Sequence, residues 1–274
     1  MCVPACTMKL ADAAAEQSTP GPLTTAACAP AAYPMPPQVG AAPLRPHSFD
    51  QVIDLTHTLS ASFPLTWPNS FDLERVSTLG KDQWNAYRWH LQEHSGTHID
   101  APLHCTHGLS GDRIPADQLV GPLVVVDIRA RASSDPDTLL TPGDLVDWEH
   151  LYGPIPRGAV VALFSGWDAF VDDARKFFGQ DARGVFHFPG FHVEAVQFLY
   201  EQRSIKGIAT DALSLDFGPS TDFPAHHYWL GHNRWGLENV AGLGLLPAAG
   251  ATIVVGAPKI AGCTGGPSRV LALL

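Results

Sequence analysis

The sequence predicts an α/β domain, and three observations carry that prediction. Short apolar runs rich in β-branched residues recur at Leu123 to Ile128, Ala159 to Phe164, Ile205 to Ala209 and Ala251 to Val255, as buried strands require. Stretches with helical periodicity fall between them, at Asp168 to Phe178 and His192 to Gln202. A helix start, Thr141-Pro142-Gly143-Asp144, combines a hydroxyl N-cap, a proline at the first helical position and an acid in the first turn. Strands alternating with helices define this fold class.

The elements follow in order. Residues 1–48 are rich in Ala, Pro, Thr and Gly, the composition of a loosely packed leader. Lys9 is the only basic residue before Arg45, and no apolar stretch follows it, so an export signal is not expected and the reading is cytoplasmic. The folded part is expected to be a single domain over residues 49–274. It opens with a short strand at Val52 to Leu55 and a loop through Phe63-Pro64-Leu65-Thr66-Trp67-Pro68. Trp84 to Gln92 alternates large and polar side chains, as a half-buried strand does. This strand runs directly into a histidine-rich segment, beyond which the alternating strands and helices begin.

Composition narrows the function. Of 274 residues, 45% are hydrophobic and 16% charged, and the formal net charge is -10 with no run of Lys or Arg. Nucleic acid and anionic membrane surfaces both need a positive face and are excluded as partners. No segment approaches the ~18–20 consecutive apolar residues of a membrane helix. The five cysteines, Cys2, Cys6, Cys28, Cys105 and Cys263, are odd in number and irregular in spacing, so unpaired thiols in a reducing compartment are expected.

The chemistry concentrates in His94-Ser95-Gly96-Thr97-His98-Ile99-Asp100-Ala101-Pro102-Leu103-His104. Imidazole and carboxylate are the donors that suit Zn²⁺, Mn²⁺ and Fe²⁺. Gly96 lets the backbone bend between the first two histidines, and Pro102 stiffens the exit. Both disfavour a helix, so the donors are expected on a structured loop after a strand. A lone histidine is more often a satisfied polar side chain. His47, His57, His90, His107, His150, His187, His192, His227 and His232 are read that way, although His187 and His192 flank Phe188-Pro189-Gly190-Phe191 and could line a pocket.

The segment resembles the signature H-[ST]-G-T-H-[IV]-D-[AS]-P-x-H of the metal-dependent cyclase family, which includes bacterial kynurenine formamidases and isatin hydrolases. Asp54-Leu55-Thr56-His57-Thr58-Leu59 is similar to the family's opening strand and turn. Gly207-Ile208-Ala209-Thr210-Asp211-Ala212-Leu213-Ser214-Leu215-Asp216 resembles its G-I-x-x-D-x-x-S-x-D stretch. Ala257-Pro258-Lys259 and Gly265-Gly266-Pro267-Ser268-Arg269-Val270 resemble its C-terminal strand and loop. The matches span about Val52 to Leu274.

The resemblance implies a swivelling β/β/α domain with a barrel-like mixed sheet flanked by helices. It also implies a homodimer or larger oligomer with the site near the subunit boundary. In the family a downstream histidine is followed twelve positions later by a metal-binding glutamate, which selects His226 and Glu238, with His227 one position off as the competing choice. The implied ligands are His94, His98, Asp100, His226 and Glu238. The kynurenine formamidases imply two metal ions bridged by Asp100 and Glu238, and the isatin hydrolases a single Mn²⁺, so the cofactor is Mn²⁺ or Zn²⁺ as one or two ions. His104 matches the family's proton-transfer position, where a histidine near its ordinary pKa can serve first as general base and then as general acid to an amide leaving group. Trp67, with its loop neighbour Phe63, matches a substrate-contacting aromatic, or is a packed loop anchor. Asp211, Ser214 and Asp216 are candidates to orient the histidines, or turn formers at a strand end. Arg269 is expected to hold a carboxylate or a subunit contact. Cys105 stands where the family usually has an aromatic, and Cys263 where it often has glycine. The implied reaction is hydrolysis of a non-peptide C–N amide bond in a small molecule, an aryl formamide or a cyclic amide. The alternatives are a lactone hydrolase or ring-forming cyclase with the same site, and a metal-dependent binding protein without turnover.

Overall fold

The apolar runs become the centre of a mixed sheet because their alternate side chains fill two different cores. The computed structural model describes residues 49–65 and 71–274. Along the chain lie β1 (Val52–Asp54), β2 (Phe71–Ser77), the single turn α1 (Leu79–Asp82), β3 (Ala86–Leu91), β4 (His98–Asp100), β5 (Val120–Asp127) and a second single turn, α2 (Arg129–Ala132). There follow β6 (Leu139–Leu140), α3 (Pro142–Tyr152), β7 (Val160–Phe164), α4 (Ala174–Phe178), β8 (Gly190–Phe191) and α5 (Val193–Phe198). The chain closes with β9 (Gly207–Thr210), α6 (Pro224–Gly231), β10 (Trp235–Glu238), β11 (Ala251–Gly256), β12 (Gly265–Pro267) and β13 (Arg269–Leu273).

Nine of these strands form one sheet in the order β1-β13-β11-β5-β7-β9-β10-β4-β12. Its middle is parallel, β5 through β10, and antiparallel pairs extend it at both ends. Side chains alternate across a strand. Val161 and Leu163 of β7 therefore enter a core shared with Leu145 and Trp148 of α3, Ala195 and Val196 of α5, and Trp229 and Leu230 of α6. Val160, Ala162 and Phe164 enter a second core on the opposite face, which holds Ile53 from β1 and Ile99 from β4. Strands from both ends of the order contribute to that second core, so the sheet curls upon itself. Each fully buried aliphatic side chain contributes about 1.5–3 kcal/mol. The expected barrel-like mixed sheet flanked by helices is borne out: the sheet curls until Thr56, just past β1, bridges Val240, just past β10, and the helices pack on its outer face.

Most elements form where the sequence places them. The Thr141 N–H and hydroxyl both donate to the Asp144 carboxylate at the start of α3, 2.8 and 2.9 Å away. Three expectations change. Asp168 to Phe178 is not one helix: a 3₁₀ turn over Trp167–Phe170 and α4 are separated by Val171 to Asp173, because Asp173 caps a new helix by accepting from the Lys176 N–H. The Trp84 to Gln92 strand forms as β3, yet it is not half-buried. It pairs only with β2 in a separate ribbon, and Trp89 is 71% exposed. The histidine-rich segment is also not wholly a loop, since His98 and Asp100 lie within β4.

Residues 1–48, the expected leader, and Trp67 lie outside the described residues. Among the described residues no helix is long and apolar enough to cross a membrane.

Candidate metal centre

Strand β4 has three residues, and its alternation sets the site. Ile99 enters the core inside the curl, so His98 and Asp100 face the opposite side, where the helices lie. Strand β10 is its antiparallel neighbour and places Glu238 directly across from His98 and Gly236 across from Asp100. From the helical layer α6 supplies His226. The Asp216 carboxylate accepts the N–H groups of Ala225 and His226 in the first turn of α6, at 2.8 and 3.1 Å. It also lies 2.6 Å from His226 Nδ1.

Two imidazoles thereby present their second nitrogen to two carboxylates. His98 Nδ1 lies 2.8 Å from the Gly96 carbonyl, which leaves Nε2 3.4 Å from Asp100 Oδ1 and 3.3 Å from Glu238 Oε2. His226 Nε2 lies 3.5 Å from Asp100 Oδ2 and 3.1 Å from Glu238 Oε1. Gly96 adopts φ 64°, the left-handed bend expected between the first two histidines. His94 Nδ1 is 2.6 Å from Asp100 Oδ1, and its ring stacks on that of His104 with centroids 3.8 Å apart. The donors form two overlapping groups, His94-Asp100-His104 and His98-Asp100-Glu238, which share Asp100.

This arrangement fits a divalent cation. His98 Nε2 and Asp100 Oδ2 are buried without a hydrogen-bond partner among the described residues, a costly arrangement unless a cation lies between them. The mixed nitrogen and oxygen donors suit Zn²⁺ or Mn²⁺. Charge is concentrated here. Burial raises the Asp100 carboxyl, but the imidazoles of His226, His94 and His98 outweigh it and hold the group well below the ordinary carboxylate range. Burial lowers His98, and its contacts with Asp100 and Glu238 reverse this and push it up to about 10.

The structure thus brings together all five expected ligands and His104. His226 is the buried histidine at the centre, whereas His227 is exposed on the helix. Other candidates sit elsewhere. Asp211 accepts from the N–H groups of Ser165, Gly166 and Trp167 and from the Ser165 hydroxyl, so it anchors the turn after β7 and makes no hydrogen bond to a histidine among the described residues. Burial raises its carboxyl to about 7, against those hydrogen bonds. The carboxylate that holds a histidine is Asp216. Ser214 is buried, its hydroxyl without a hydrogen-bond partner among the described residues. Phe63 is 8% exposed and meets Phe177 edge-on with centroids 6.0 Å apart, so it is packed into the core beneath its loop. Arg269 holds Asp54 through two hydrogen bonds of 3.0 and 2.6 Å. His187 is tied to Asp137. Sequence reasoning missed Glu93 and Thr264, which hold the far side of His94; adjacency to His94 was the only available signal for Glu93.

The Cyclase family model matches residues 53–217. The isatin hydrolase of Roseibium aggregatum is 32% identical over 243 residues, covering 82% of this chain and 92% of that protein. The kynurenine formamidase of Salinibacter ruber is 29% identical over 227 residues, covering 80% and 96%. Among solved structures, isatin hydrolase A from Labrenzia aggregata bound to benzyl benzoate superposes with a TM-score of 0.77 at 35% identity, covering 82% of this chain and 93% of that one. An isatin hydrolase bound to the product analogue thioisatinate gives 0.76 at 32% identity, covering 82% and 92%.

Proposed function

The chain belongs to the Cyclase family, and on that premise we propose that this metal-dependent amide hydrolase opens the C–N bond of a cyclic aryl amide of the isatin type. One observation carries the reading: His98, His226, Asp100 and Glu238 converge from three elements with His104 stacked at their edge, beside His94. His94, His98, Asp100, His226 and Glu238 would hold the cation, Mn²⁺ or Zn²⁺, as one or two ions, with Asp100 close to both His94 and His98. When bound, the cation supplies Lewis acidity toward water and toward the amide carbonyl.

The residues of the chain supply the rest. Asp216 and the Gly96 carbonyl fix the rings of His226 and His98 before substrate arrives, so little reorganisation accompanies the reaction. His104 accepts a proton from the attacking water. Once the water oxygen has bonded to the carbonyl carbon, His104 returns that proton to the nitrogen as the C–N bond breaks. An amide nitrogen is a poor leaving group unless protonated, which is why the site needs a histidine in addition to its ligands.

The reading includes a second copy of the chain. The β2–β3 ribbon sets Phe71, Leu73, Tyr87, Trp89 and Leu91 on one face, with Arg75 at its end over the Tyr87 ring, and Asp72, Glu74, Arg88 and His90 on the other. A lone two-stranded ribbon is marginal in water. Its three most exposed large side chains on the apolar face are Leu73, Tyr87 and Trp89, and the ribbon leads straight into the ligand segment. A partner copy covering that face would lie next to the site.

The test is metal content and turnover together. Protein purified without added metal should carry about one or two equivalents of Mn or Zn, and should hydrolyse isatin with a kcat/KM at least about tenfold above that for N-formylkynurenine or a lactone panel. A preference for the formamide would shift the substrate to that class. Metal-bound protein inactive on every amide would overturn the hydrolase reading.

A further inference from the structure

His94 is held the opposite way round from the other two buried-site imidazoles. His98 and His226 tether Nδ1 and present Nε2, whereas His94 presents Nδ1 to Asp100 Oδ1 at 2.6 Å and has its Nε2 3.1 Å from the Thr264 hydroxyl. Thr264 is 170 residues away in sequence. Its single hydroxyl hydrogen is already committed, because Thr264 Oγ1 donates to Glu93 Oε2, and the same carboxylate oxygen accepts the Thr264 N–H at 3.0 Å. A hydroxyl that has given its hydrogen to a carboxylate can only accept from an imidazole, so Nε2 must be the protonated nitrogen of His94. Nδ1 then carries a lone pair facing a carboxylate oxygen at 2.6 Å. Two acceptors that close repel unless a cation or a second proton lies between them.

We propose that Glu93 and Thr264 are positioning residues that lock His94 in the Nε2–H tautomer and make Nδ1 its metal-binding atom. The proposal rests on the metal-binding reading above and deepens it. Backbone geometry leaves the space that this ring position needs. Gly265 is paired with Asp100 across β12 and β4, and a Cβ there would clash with the Ile99 carbonyl oxygen and lie 2.7 Å from His94 Cε1 and 3.2 Å from Nδ1. The imidazole therefore seats against bare backbone, in an orientation that a side chain at residue 265 would block. The chain that follows β11 thus supplies Thr264, which contacts Nε2, and Gly265, which leaves room beside Cε1 and Nδ1.

The experiment measures metal affinity, by competition titration with Zn²⁺ and with Mn²⁺, on full-length wild type, Thr264→Val, Thr264→Ser and Glu93→Ala. Thr264→Val and Glu93→Ala should weaken binding about 10–100-fold, the usual effect of losing a partner that orients a ligand, and Thr264→Ser should restore it to near wild type. The chelated proteins should melt within a few degrees of one another, which separates orientation from folding. ¹⁵N imidazole spectra of the Zn²⁺-loaded wild type should show His94 protonated at Nε2 and coordinated at Nδ1. A Thr264→Val protein that binds as tightly as wild type, or His94 coordinated through Nε2, would overturn the proposal alone. Wild-type protein that takes up neither metal would overturn the metal reading and this proposal together.

Discussion

Asp216 lies 2.6 Å from His226 Nδ1 while it also accepts the backbone N–H that begins the same residue. One carboxylate thus fixes both the ring and the helix turn that carries it. Asp216→Asn keeps the shape but replaces one acceptor oxygen with a donor. It should raise the metal Kd about 10–100-fold with the fold intact. Metal titration beside circular dichroism checks this; unchanged affinity would show that His226 does not depend on the pair.

His104 stacks on His94 and lies within reach of Asp100, outside the His98-Asp100-Glu238 group, so it could carry a proton or bind metal, and its removal decides between them. His104→Ala should retain metal and lose about 10²–10⁴ in kcat. Metal analysis and steady-state kinetics on one preparation separate the two effects. Loss of metal instead would make His104 a ligand.

Stability of the metal-free protein should depend on pH with a definite sign. Its His98 imidazole is raised to about 10 from an ordinary 6.5. A raised histidine favours folding most below the unfolded value, and the contribution disappears as pH climbs through the folded one. The melting temperature of chelated protein should therefore fall between pH 6.5 and 10. Metal binding requires the neutral imidazole, so the extra stability given by metal should grow over the same range. His98→Asn should flatten the chelated slope, and an unchanged slope would assign it to other groups.

Trp89 tests the second copy. Trp89→Glu places a charge in the middle of the apolar ribbon face, opposite Leu73. Sedimentation at graded concentrations should show a dimer in wild type and at least about tenfold weaker association in the variant, because a central aromatic is the kind of residue that dominates an interface. A wild-type monomer would leave the ribbon with another role.

Much of this was legible in the residues, for physical reasons. Val160 to Phe164 could be read as a strand buried on both sides because every position is apolar and β-branching is frequent. His94 to His104 could be read as a metal segment because short spacing brings donors together whatever the fold. His226 and Glu238 needed the family spacing, since nothing local says that β10 pairs with β4. Asp211 and Asp216 look alike as acids after a strand. Only the backbone path decides that Asp216 reaches α6 while Asp211 reaches the β7 turn. Thr264 was invisible because its partner is 171 residues away. The exposure of Trp89 was equally hidden, since alternation states that one face is apolar but not what covers it.

The order of strands at the edge of the sheet has a consequence for biosynthesis. Strand β4 lies between β10 and β12, both made much later. A half-finished chain emerging from a ribosome already contains His98 and Asp100 but neither flanking strand, so these proposed ligands have no scaffold to hold them. Pairing of distant segments is slow and comes late in folding. On the proposed reading, metal capture belongs to the completed polypeptide, in which β10 and β12 flank β4.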